Sequence, residues 1–277
     1  MSKLSELDQI LAREYGAYAS YPTAVDPILI ETYGDGPAEE VDRLLDRYAK
    51  TDSNVLDLGC GAGFTLCRLA PKVASVWGFD QDEKLLTAAR LRAEKQGFSN
   101  VHFIYGNAAL AGDADQLPDD FFDLVLSRRG PNVNHFIKKL KAEAFVIQEL
   151  FQGYLGLLEM FGRKSPLADI GANPRWLIDE YSWLDLFPVS VKEYYNEYYF
   201  RDIEHFAAYL SQKTSLYSWP MPPLPYEESR DRAALELYAR YNTTPKGIRV
   251  VNVRKVYLFR RARVQYAPVD PGVKPDL

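Results

Sequence analysis

The chain has 277 residues, 47 % of them apolar, and a formal net charge of −5. It is long enough to bury one large core or one core with an appended lobe, and no apolar run approaches the length that spans a bilayer. The acidic balance leaves no global basic footprint for nucleic acid, and the mixed-charge N-terminus lacks a signal-like apolar segment, so a cytoplasmic protein is expected.

Residues 1–50 read as helices around a loop, a candidate N-terminal lid. Leu4, Leu7, Ile10 and Leu11 make one apolar face; Val41, Leu44, Leu45 and Tyr48 make another at helical spacing. Between them, Tyr15 and Tyr18 either pack at a helix end or present aromatic faces to a cation.

Val55-Leu56-Asp57-Leu58 reads as a short buried strand. It runs into Gly59-Cys60-Gly61-Ala62-Gly63, and Phe64, Leu66, Leu69 and Ala70 then begin a helix. Glycine permits positive φ and lets a ligand approach bare backbone, and the helix start aims free N–H groups above the turn. Cys60 and Cys67 lie here without metal-ligand spacing. The three histidines are far apart, so no metal site is expected.

Val73 to Asp80 reads as the next strand, with Gln81 beyond it. Asp80 at its end offers two acceptor oxygens to a diol, or else caps the helix starting near Asp82. Helix Asp82–Gln96 ends at Gly97. Val101 to Gly106 is a third strand, followed by Asn107 and Ala108, with Asp113 and Asp115 further along the same loop. Phe122-Asp123-Leu124-Val125-Leu126-Ser127 is a fourth strand, and Arg128 and Arg129 stand at its end. These arginines are either solvated or paired with Asp113 or Asp115, or they clamp a substrate carboxylate or phosphate.

Glu143 to Leu150 supplies a fifth strand, past whose interior Gln148, Glu149 and Gln152 could face an acceptor. A helix from Asn173 and a tyrosine-rich strand, Val189 to Phe200, follow. Helices Asp202–Lys213 and Glu228–Tyr241 flank a proline-rich loop at 218–225, a lid or a connector. Gly247 to Val264 is the last strand. Its bases (Arg249, Arg254, Lys255, Arg260, Arg261, Arg263) either touch RNA or protect a sheet edge. The tail from residue 265 should be disordered.

The D-x-G-x-G-x-G turn, Asp80, Asn107 and the F-D-x-V strand, in that order, resemble the class I S-adenosylmethionine (SAM) dependent methyltransferases. The resemblance implies a doubly wound α/β fold with a mostly parallel seven-stranded sheet and an antiparallel last strand. It implies a SAM-binding domain over 51–264, with insertions near 151–186 and 202–243. It also implies that Asp57 helps hold the methionyl ammonium while Gly59, Cys60, Gly61 and Gly63 pack backbone on the cofactor. Asp80 with Gln81 would take the ribose, Asn107 with Ala108 the adenine, and Ser127 and Tyr18 would complete the pocket. Asp113 or Asp115 would replace Asn107 if the strand ran longer.

Phe64 stands where a third dinucleotide glycine would be, which sets a nicotinamide oxidoreductase apart. The D/N-P-P-Y/F sequence of the family's DNA amino-methyltransferases is missing. A small-molecule acceptor is therefore expected, positioned by Arg128, Arg129 and Tyr15. An RNA or protein methyltransferase, or a SAM-binding protein without activity, remain as alternatives. No residue stands out as a general base, and the oligomeric state is open.

Overall fold

The computed structural model of the protein describes residues 29–32, 36–128, 130–154, 176–211 and 226–262. The strands are β1 (Leu29–Thr32), β2 (Asn54–Leu58), β3 (Ser75–Asp80), β4 (Val101–Tyr105), β5 (Phe122–Arg128), β6 (Leu140–Tyr154), β7 (Leu186–Phe200), β8 (Thr243–Thr244) and β9 (Gly247–Arg261). They form one sheet in the order β1-β7-β9-β6-β5-β2-β3-β4, with β8 paired to β9. β4, β3, β2, β5 and β6 are mutually parallel; β9 runs antiparallel to both β6 and β7. The seven expected strands are present with the last one antiparallel.

Two strands were not expected. Residues 1–50 read as helix and loop, yet Leu29–Thr32 pairs antiparallel with Asn196–Tyr199 and closes one edge. A four-residue strand has no room to display a period, so only its partner reveals it.

The central strands are buried on both faces, which is why β2 and β5 read as near-continuous Val/Leu runs. One face carries Leu56, Leu58, Val125, Val146, Tyr257 and Phe259 under helix α5 (Trp176–Ser182). The other carries Val55, Leu124, Leu126, Ile147, Val256 and Leu258 under α1 (Pro37–Tyr48) and α2 (Phe64–Leu69). Helix α3 (Glu83–Lys95) links β3 to β4, and the short α4 (Ala111–Ala114) follows β4. A third apolar cluster packs α6 (Ile203–Ser211) and α7 (Glu228–Asn242) on the far ends of β7 and β9, through Phe200, Phe206, Leu210, Leu235 and Val250. Among the described residues, no helix is long and apolar enough to cross a membrane.

β9 lies inside the sheet, which corrects the edge-protection reading of its bases. Their charges are answered by acids on neighbouring strands: Arg249 by Glu197, Lys255 by Glu193 at 3.0 Å, Arg254 by Glu149 at 2.7 Å, and Arg260 by Glu143 at 2.5 Å. Arg261 is buried and donates to the Leu140 carbonyl. Cross-strand pairing of this kind tolerates like charges along one strand because the partners lie on others.

Candidate cofactor and acceptor site

β3 and β4 lie to one side of β2, and β5 and β6 to the other. The chain direction of travel therefore reverses between β2 and β5, the position at which open α/β sheets bind ligands beyond their strand ends.

The glycine turn sits above that reversal. Gly59, Gly61 and Gly63 all take positive φ, of 78°, 54° and 75°. The turn is held by Gly59 N–H to the Phe79 carbonyl at 2.8 Å, Gly63 N–H to the Cys60 carbonyl at 3.1 Å, and Gly61 N–H to Asp80 Oδ2 at 2.8 Å. A Cβ at Gly63 would stand 2.8 Å from Ala89 Cβ, whereas one at Gly61 meets nothing within 4 Å. Gly63 is thus a packing glycine, and Gly61 faces open space in which a ligand can approach backbone. Arg92 closes the turn from α3, with Nε donating to the Ala62 carbonyl at 3.1 Å and its guanidinium over the Phe64 ring.

Beneath the turn, Asp57 is only 3 % exposed, and its carboxylate has no hydrogen-bond partner among the described residues. Burial pushes its pKa up to about 7, against the pull of the Arg128 guanidinium and with a smaller push from Asp80. A buried carboxylate without a partner keeps its proton or waits for a cation.

Asp80 does not cap α3. Asp82 does, accepting from Lys84 N–H at 2.9 Å and Leu85 N–H at 3.2 Å. Asp80 instead spans the glycine turn and the helix entry, since Oδ1 accepts from Asp82 N–H at 2.9 Å. Each of its oxygens retains a lone pair. Exposed Gln81 follows it.

At the end of β4 the Asn107 N–H donates to Asp113 Oδ2 at 2.7 Å, and Asn107 Oδ1 accepts from Ala109 N–H at 2.9 Å. Asn107 is both turn former and strand-end residue, and Asp113 reaches the same place from α4. Ala108, half-buried, packs against the apolar cluster below.

Ser127 is fully buried, and its hydroxyl donates to the Pro131 carbonyl at 2.7 Å. Its side chain therefore shapes the loop at 130–132. Gly130 lies so close to β2 that a Cβ there would sit 2.4 Å from the Leu58 carbonyl oxygen.

Arg128 pairs with neither Asp113 nor Asp115, correcting that expectation. Its Nε donates to Glu149 Oε2 at 2.9 Å, and Glu149 itself is fully buried. Tyr15, Tyr18 and Arg129 lie outside the described residues, as do the 218–225 loop and the tail from 265.

The family model described as "Methyltransferase domain" matches residues 49–153. That interval runs from β2 to the end of β6 and contains the strand ends just described. An uncharacterized methyltransferase of Bacillus subtilis, YcgJ, is 31 % identical over 125 residues, covering 45 % of this chain and 47 % of the relative. Over residues 49–153 the chain is similar to the methyltransferase domain of the class I S-adenosylmethionine-dependent enzymes.

Other relatives of the chain lie further off. The release factor glutamine methyltransferase of Buchnera aphidicola is 26 % identical over 179 residues, covering 61 % of this chain and 60 % of that protein. The chain spans about half the length of the curated relatives it matches. Among solved structures, a functionally unknown protein from Deinococcus radiodurans shares the fold with a TM-score of 0.57 and 18 % identity, covering 91 % of this chain and 98 % of that one.

Partners that only the three-dimensional arrangement supplies are Glu149 and Arg254. Both residues were visible as charges. Their pairing across 105 positions has no signal in a single sequence.

Proposed function

We propose that this chain transfers the methyl group of SAM to a small-molecule acceptor by in-line displacement. The buried carboxylate of Asp57, without a hydrogen-bond partner among the described residues and beneath an open glycine turn, carries the reading, because SAM has an ammonium to offer it. When bound, SAM supplies an activated methyl on a sulfonium, so the protein mainly orients and excludes water.

In this reading Asp57 holds the ammonium. Gly59, Cys60, Gly61 and Gly63 present backbone, and Asp80, beside Gln81, takes the ribose diol on the lone pairs left by its two internal bonds. Asn107 and Ala108, backed by Asp113, take the adenine. Ser127 contributes through the loop it anchors, and Arg128 stands where the acceptor approaches. Tyr15, Tyr18 and Arg129 complete the proposal as lid and acceptor contacts.

The ion pairs that answer the bases of β9 support a small acceptor over RNA, since they leave the basic stripe without its excess charge. The two free thiols, Cys60 and Cys67, fit the reducing cytoplasm in which the reaction is proposed to run.

The deciding experiment is calorimetric titration with SAM and with S-adenosylhomocysteine. Binding of either is expected, and Asp80→Ala should weaken it about tenfold, roughly 1.4 kcal/mol. Failure of both ligands to bind would remove the proposal.

A further inference from the structure

Four adjacent strands place alternating charges on one face of the sheet. Alternation along each strand puts Asp57 of β2, Arg128 of β5, Glu149 of β6 and Arg254 of β9 on the face of Val55, Leu126, Ile147 and Val256. Arg128 and Glu149 are direct register partners. Glu149 gives Oε2 to Arg128 Nε at 2.9 Å and Oε1 to Arg254 Nη1 at 2.7 Å. Beyond Arg254 the same face continues with Asn252, which accepts from Arg254 Nε at 3.1 Å, and its register partner Asn196. Both asparagines are buried, and Asn196 Oδ1 has no partner among the described residues. This polar seam separates the apolar cluster under α1 and α2 from the one under α6 and α7.

One buried carboxylate therefore serves two guanidiniums. A guanidinium has five N–H donors. Among the described residues Arg128 uses only Nε, so its Nη1/Nη2 edge is free, and the side chain is 29 % exposed. Arg254 donates through Nε, Nη1 and Nη2, the last to Tyr198 Oη at 3.5 Å, and one N–H remains on each Nη. Apolar residues would fill such a seam at no loss of stability. Two half-used forks beside a strand-order reversal suit recognition instead, because a fork matches a planar or tetrahedral oxyanion bidentately.

We infer that Arg128 and Arg254, braced by Glu149, form the floor of the acceptor pocket and select an acceptor bearing an oxyanion, a carboxylate or a phosphate. The inference rests on the methyltransferase reading above. Glu149 is a positioning residue here: both of its oxygens are committed to guanidiniums. The unpartnered Asn196 Oδ1 marks the far end of the pocket, where it would accept a hydrogen bond from the same acceptor.

The test uses the full chain saturated with S-adenosylhomocysteine, titrated with acetate and, separately, with inorganic phosphate at constant ionic strength set by chloride. Saturable binding of one of them is expected, and the tighter of the two names the anion class. Arg128→Gln should weaken it at least tenfold, measured with S-adenosylhomocysteine kept saturating for the variant because Arg128 also acts on Asp57. Arg128→Lys should recover phosphate better than acetate, since a point charge lacks the planar fork. Glu149 keeps Arg254 as its partner in Arg128→Gln; should that variant unfold, Arg254→Lys serves in its place with the same expected loss. Equal anion binding in wild type and variant would overturn the inference. So would competition between the anion and S-adenosylhomocysteine, because the arginines would then hold the cofactor's own carboxylate. Arg128-dependent anion binding in a chain that ignores S-adenosylhomocysteine would instead overturn the methyltransferase reading and leave the oxyanion site standing.

Discussion

Asp57 would couple the proposed cofactor site to pH. Its carboxyl titrates near 7 in the folded chain against an ordinary value of 3.8. Between those two pH values the native state holds a proton that the unfolded state has released. Its contribution to stability is therefore full below about pH 4 and is lost as pH rises through 7, by up to about 4 kcal/mol. Asp57→Asn should flatten that part of the profile, read as urea midpoints from pH 4 to 8. A cationic ligand favours the ionised form, so SAM affinity should rise with pH up to about 7 and then level off. Proton release on binding, measured by calorimetry at pH 6 in buffers of different ionisation enthalpy, checks the same point.

The turn glycines separate packing from recognition. Gly63→Ala adds a Cβ 2.8 Å from Ala89 Cβ at a φ of 75°. It should cost about 2 kcal/mol or more in chemical unfolding. Gly61→Ala pays only the left-handed backbone cost, roughly 1–2 kcal/mol, yet should lose about as much cofactor affinity as Asp80→Ala. A variant at Gly61 that binds normally would show that no ligand approaches that backbone.

Helix α5 is tied to the strand ends by one phenol. Tyr181 is fully buried; its hydroxyl accepts from Val133 N–H at 3.0 Å and donates to Gln148 Oε1. Gln148 in turn donates to Asn132 Oδ1 at 3.2 Å. The loop at 130–133, beside the proposed pocket, is thereby fixed to both α5 and β6. Burial raises the Tyr181 pKa far above that of a free phenol, so the bond is that of a neutral hydroxyl at any ordinary pH. Tyr181→Phe should cost about 1–3 kcal/mol, because Val133 N–H is left unpaired in the interior. Differential denaturation of the purified variant reads this directly. The helix itself was legible in the stretch from Asn173. The job of its hydroxyl was not, since Val133 and Gln148 lie 48 and 33 positions away.

Across the molecule, the long strands β6, β7 and β9, each of 15 residues, extend the parallel sheet into the lobe under α6 and α7. The polar seam runs between these two apolar bodies. A cofactor bound as proposed would touch β2, β3, β4 and β5 together, so it should stabilise the fold as a unit. S-adenosylhomocysteine at a hundredfold excess over its Kd should add about 2.7 kcal/mol. For a chain of this size that is a rise of about 5 °C in Tm, checked by scanning calorimetry.

The glycine turn, the acids at successive strand ends and the buried Val/Leu runs were readable along the chain, because turn chemistry and burial periodicity act over a few neighbouring residues. They were sufficient for the fold class. The position of β9 inside the sheet, the strand at Leu29–Thr32 and the sharing of Glu149 by Arg128 and Arg254 were decided only in three dimensions. Each depends on which distant strand becomes the neighbour, and hydrogen-bond register sets that choice across a hundred or so positions, leaving no local period or motif behind.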